Sequence, residues 1–93
     1  MIEEIKEFLE NKNFIRLYND ADFEKTIKFY KKDININSNS VVTEISIKKL
    51  NNENYNLIID KNFTDGNEEK GYNITERYFN ETEKFLKSRI ILL

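Results

Sequence analysis

The sequence predicts an α+β fold: an N-terminal helix, a three- to four-stranded antiparallel meander, and a C-terminal amphipathic helix packed on one sheet face. Three observations predict it. Residues 41–63 repeat apolar side chains with a period of two on both sides of an Asn-rich turn. Residues 2–12 and 74–89 repeat them with a helical period instead. The chain has 93 residues, 39% of them apolar, enough for one modest core. No internal repeat and no Pro/Gly/Ser linker divides it, so residues 1–93 read as a single domain.

Taken in order, Ile2, Ile5, Phe8 and Leu9 form one stripe of a short helix, with Glu3 and Glu4 at the positive end of its dipole. Phe14-Ile-Arg-Leu-Tyr18 reads as a strand. Residues 20–33 fit two patterns. Phe23, Ile27 and Tyr30 suit a helical face capped by Asp20 or Asp22, whereas Thr26-Ile-Lys-Phe-Tyr30 suits a strand whose even face Ile34 and Ile36 continue. The strand is favoured, because the next segment supplies a partner through the turn at Asn37-Ser-Asn-Ser40.

Val41, Thr43, Ile45 and Ile47 alternate with Glu44, Ser46 and Lys48, and Tyr55, Leu57 and Ile59 resume the alternation. Between them Asn51-Asn-Glu-Asn54 predicts a hairpin turn of four residues, since Asn tolerates left-handed backbone. Residues 64–72 hold both glycines and read as a loop. Asn73 with Glu76 three positions later resembles a capping box, which predicts a helix over 74–89. Ile74, Tyr78, Phe79, Thr82, Phe85, Leu86, Ile90 and Leu93 would line its apolar face. Glu76, Asn80, Glu83 and Lys87 would line its wet face, with Glu83–Lys87 as an i,i+4 pair. The expected core is Phe8, Ile45, Ile47, Leu57, Ile59, Phe79, Phe85 and Leu86.

The chemistry open to the chain is narrow. It has neither cysteine nor histidine, which excludes disulfides, thiol nucleophiles, His-dependent bases and the ordinary zinc, haem and iron–sulfur sites. Asp60, Asn62, Thr64, Asp65, Gly66 and Glu69 suggest a calcium loop. Counted from Asp60, however, position six is Asp65 and position twelve is Gly71, the wrong residues for an EF-hand. The reading is therefore no catalytic residue, no metal, no cofactor, and no enzyme. Five tyrosines invite base stacking, but a small core needs them, and a pI near 5.2 speaks against direct nucleic-acid contact. No apolar run approaches a membrane span, and the acidic start predicts a cytoplasmic protein. Fourteen Asn, thirteen Ile and twelve Lys point to an A/T-rich coding sequence.

Charge is distributed in blocks. Residues 1–24 carry −4, residues 25–49 carry +4, residues 50–83 carry −5 and residues 84–93 carry +3. The acidic blocks would repel DNA and suit a basic groove on a protein partner.

IEEIKEFLENKNFIRL at 2–17 and VTEISIKKLNNENYNLII at 42–59, a helix followed by a meander with an acidic Asn-rich turn, resemble small type II-A anti-CRISPR proteins of phages and prophages. The resemblance is one of pattern, covers about a third of the chain, and implies that acidic side chains fill the basic DNA-reading site of a CRISPR nuclease. Glu53 in the hairpin turn is the matching position, and Asp65, Glu68 and Glu69 would add an acidic loop. Glu76 would join them from the first turn of the last helix. Residues 20–36 have no counterpart in that pattern.

The expectation is thus a non-enzymatic protein-binding inhibitor in a bacterial host cytoplasm, with a CRISPR effector as partner. The alternatives are an antitoxin or immunity protein covering a basic toxin cleft, and a small assembly subunit. Ile90, Ile91, Leu92 and Leu93 offer a self-association surface, since four consecutive apolar residues cannot share one helical stripe.

Overall fold

The computed structural model describes residues 2–17, 26–34, 39–64 and 71–93. A helix, α1 (Ile2–Asn11), leads into a five-stranded antiparallel sheet of β1 (Ile15–Leu17), β2 (Thr26–Ile34), β3 (Ser40–Lys49), β4 (Tyr55–Thr64) and β5 (Gly71–Glu81). A second helix, α2 (Glu83–Ile90), closes the chain. The strands lie in sequence order, so every connection joins neighbours and the sheet is an open meander. The α+β class holds, with five strands rather than three or four.

Helix α1 buries Ile5 and Leu9, one turn apart, against the sheet. Its end is set by Asn13, whose φ of 69° lies in the left-handed region that Asn tolerates. The Phe14 amide then bonds the Leu9 carbonyl at 3.0 Å, and the Asn13 amide bonds that of Glu10 at 3.0 Å. This pairing closes a helix on a left-handed residue and turns Phe14 back into the core.

The core lies on one sheet face. Phe29 of β2, Ile45 and Ile47 of β3, and Tyr55, Leu57 and Ile59 of β4 meet Ile5, Leu9, Leu86 and Ile90 of the helices. All six sheet residues are odd-numbered, which is the period-two pattern made physical. In β2 the odd face is therefore the buried one. The expected even face is corrected: Ile34 is exposed, and Ile36 lies outside the described residues. The register Lys49↔Tyr55 leaves five residues, 50–54, in the hairpin turn rather than four.

The largest correction concerns the C-terminal third. The expected helix over 74–89 is a strand up to Glu81, and only Glu83–Ile90 is helical. Asn73 and Glu76 sit in β5, opposite Asn62 and Ile59, and form no capping box. The cap is Thr82, whose side chain accepts from the Phe85 amide at 3.2 Å. Phe79, an expected core residue, is 61% exposed, and Ile74 is exposed too. Phe8 and Phe85 pack against the core only in part. The physical reason is tertiary. The outer edge of β4 offers a ten-residue row of backbone partners, and Tyr72, Thr75, Tyr78 and Phe79 are good strand formers.

Gly71 is required where β5 begins, because a Cβ there would lie 2.9 Å from the Phe63 carbonyl oxygen. Near the other end, two residues of β5 oppose one of β4 between the pairs Tyr55↔Glu81 and Leu57↔Tyr78. Asn80 supplies the left-handed φ of 58° at this bulge. Its amide donates to Asn56 Oδ1 at 3.0 Å, and its carbonyl accepts from Asn54 Nδ2 at 3.2 Å.

Candidate partner-binding surface

Glu53 occupies the exposed tip of the β3–β4 hairpin. Asn51 shapes the tip: its Oδ1 accepts from the amides of Glu53 at 2.8 Å and Asn54 at 2.9 Å. The Leu50 amide also bonds the Asn54 carbonyl at 2.9 Å, which closes the turn. The amides of Glu53 and its neighbour Asn54 are thus held by one side-chain oxygen, while the Glu53 side chain is exposed. Among the described residues Glu53 makes no ion pair.

The other expected acids do not join it. Asp65, Glu68 and Glu69 lie outside the described residues. The strand ends that flank them, Thr64 and Gly71, sit at the opposite end of β4 from Glu53, about 30 Å along a ten-residue strand. Glu76 is part of the fold. It pairs with Arg89 of α2 and accepts from the Tyr78 hydroxyl at 3.3 Å, while Tyr78 accepts from Arg89 Nε at 3.2 Å. A strand carboxylate, a strand phenol and a helix guanidinium thus tie α2 down on β5.

Two further carboxylates stand at the Tyr55 end of β4. One of them, Glu83, is not the solvent-facing partner of Lys87 that helical periodicity predicts, since Lys87 pairs with Glu4. Glu81 stands opposite Tyr55, and Glu83 Oε1 accepts from the Tyr55 hydroxyl at 2.6 Å. Burial first, and this bond second, push the Tyr55 phenol up to about 12. Glu83 Oε2 is buried without a partner among the described residues, so this carboxylate faces inward.

On α1, Glu3 bonds Lys6 at 2.9 Å and Glu4 bonds Lys87 of α2 at 2.6 Å. Hydrogen bonding to these lysines, with their charge second, holds both carboxyls below the usual carboxylate range. Glu7 and Glu10 make no ion pair among the described residues.

The sheet face away from the helices carries a shallow trough of about 350 Å³. At its centre Glu44 and Asp60 stand directly opposite each other on β3 and β4. Like charges so placed repel. Asp60 accepts from Thr75 at 2.8 Å, and Lys28 and Arg77 line the trough one residue row away. A four-residue turn would have set Glu44 against Lys61. The five-residue turn creates the carboxylate pair, so a single residue of loop length hid it from the sequence reading.

The C-terminal tail divides. Ile90 is buried and Leu93 packs in part against the core, while Ile91 and Leu92 are exposed. The expected four-residue apolar surface is therefore corrected to two residues. Among the described residues no cluster of acidic side chains could hold a metal ion. No described helix is long and apolar enough to cross a membrane. Comparison with known proteins found no match: no family model, no curated protein and no solved structure is similar to this chain.

Proposed function

We propose that the chain is a non-enzymatic protein inhibitor of the anti-CRISPR kind, acting in the bacterial host cytoplasm on a CRISPR effector nuclease. The hairpin tip enters a basic groove of the effector and sets a carboxylate where a DNA phosphate would lie. The observation that carries this reading is Glu53, an exposed carboxylate with no ion-pair partner among the described residues on a turn held by Asn51. A turn held in place loses little backbone freedom on docking, and the desolvation of its carboxylate is offset by a cation on the partner. The strongly negative block at residues 50–83 supports the same direction of steering.

The test is RNA-guided DNA cleavage by purified type II-A effectors, with wild type and Glu53→Lys titrated in parallel at low and high salt. Wild type should block cleavage, less well as salt rises, and Glu53→Lys should need at least about tenfold more protein, roughly 1.4 kcal/mol of lost binding. Unhindered cleavage at a large excess of wild type overturns the inhibitor reading. Equal inhibition by both proteins overturns the docking mechanism.

A further inference from the structure

We propose that β5 is a self-pairing edge, through which two copies of this chain join antiparallel into one ten-stranded sheet. The two outer edges of the sheet differ sharply. At one, β1 spans three residues among those described, and beyond it β2 presents Lys31, Lys32 and Asp33. Short strands and charged residues are the usual protection of a sheet edge. At the other, β5 runs eleven residues and pairs, among the described residues, only with β4. It has no proline and no lysine, and it exposes Tyr72, Ile74 and Phe79. Its charges and its bulge fall late, Glu76 being held by Arg89 and the bulge lying at Asn80, so residues 71–79 form a regular row that can template another strand.

The sequence of β5 selects both the occupant and the register. Opposed residues in an antiparallel pair point to the same face, so a two-fold axis relating two β5 strands passes through a residue. An axis at Glu76 or Arg77 would set that residue against itself, like charge on like charge. An axis at Thr75 avoids both clashes. It pairs residues 71–79, ending at the Asn80 bulge, and is the longest register free of opposed like charges.

In that register Thr75 meets Thr75 of the second copy, Asn73 meets Arg77, and Tyr72 meets Tyr78. Ile74 meets Glu76, whose carboxylate stays with Arg89. The pairing is isologous and closes as a dimer. Both helical layers lie on the same side of the joined sheet, and the two Glu53 tips point to opposite ends. The pairing does not depend on the inhibitor reading.

The chain's lack of cysteine makes the test clean. Light scattering on the full chain should give twice 11.2 kDa. A short bis-maleimide should cross-link Thr75→Cys to itself. It should join Asn73→Cys to Arg77→Cys only in a mixture of the two variants. Thr75→Lys, which opposes two cations at the axis, should run as a monomer with an unchanged circular dichroism spectrum. A monomeric wild type at several hundred micromolar overturns the proposal. So does a dimer that cross-links through Leu92→Cys but not through Thr75→Cys, which would place the contact at the tail. Inhibition measured on the monomeric Thr75→Lys variant separates the dimer from the inhibitor reading.

Discussion

The central hairpin and the C-terminal third are built from similar residues yet differ in how much tertiary context they need. In the hairpin one face is buried, so Thr43, Ile45, Ile47, Tyr55, Leu57 and Ile59 recur with a period of two, broken only by Val42 and Ile58 on the half-buried opposite face. Strand β5 is an edge strand with no fully buried residue, and its apolar residues carry little of the core. Tyr72, Ile74 and Tyr78 share a face with Glu76, and the same residues at 74, 78 and 85 mimic a helical stripe. A strand that buries little leaves little pattern. That is why Asn73 and Glu76 resembled a helix start when the cap is Thr82, nine residues later.

Core truncations should break this comparison most strongly. Leu57→Ala, at a position with no exposure, should cost about 2–5 kcal/mol in denaturant unfolding. Phe79→Ala, in the strand once expected to be core helix, should stay within about 0.5 kcal/mol. Equal losses at the two sites would mean that β5 packs as tightly as the hairpin. Phe85→Ala belongs between them. Its ring is half-buried and lies 5.2 Å from that of Tyr78, so about 2 kcal/mol is expected, below the 3–5 of a fully buried phenylalanine.

Helix capping gives a smaller and sharper contrast. Thr82→Ala should lose about 1 kcal/mol by removing the acceptor for the Phe85 amide. Asn73→Ala should change stability by less than about 0.5 kcal/mol, since an exposed strand residue caps nothing. Chemical denaturation of the two variants side by side locates the helix start without a structure.

The narrowest effect is one of pH. The Tyr55 phenol is raised to about 12 in the folded protein against 10.0 when unfolded. The neutral phenol therefore contributes fully below pH 10. Above it the unfolded chain loses a proton that the folded chain keeps, and stability falls until about pH 12. Unfolding measured across that window should steepen for wild type and flatten for Tyr55→Phe. Absorbance at tyrosinate wavelengths should show one phenol titrating near 12.

Much of the fold was legible because local rules and tertiary needs coincide there. The α1 stripe and the central hairpin bury the face that their periodicity marks. Segments β1 and β2 form as strands, but β1 exposes Ile15 and Leu17, and β2 buries its odd face rather than its even one. The site was legible only in part. The exposed place of Glu53 is legible because an Asn-rich turn between alternating strands faces solvent. Glu76 was misplaced because its Arg89 partner comes from an element whose start had been misread. Glu44 and Asp60 were missed because facing pairs follow from register, and a one-residue error in a loop re-pairs a whole strand.

By itself, then, the sequence determined a single α+β domain and a two-strand core with Ile45, Ile47, Leu57 and Ile59 inward. It also determined chemistry without thiols or imidazoles, and an acidic hairpin tip. These follow from composition and from periods that any packing must respect. Only the tertiary structure decided that residues 71–81 extend the sheet, that Thr82 caps α2, and that Glu76 serves Arg89. It also decided that β1 and β5 are the outer strands of the sheet. Each of those depends on which neighbour completes a backbone's hydrogen bonds, and that neighbour lies elsewhere in the chain.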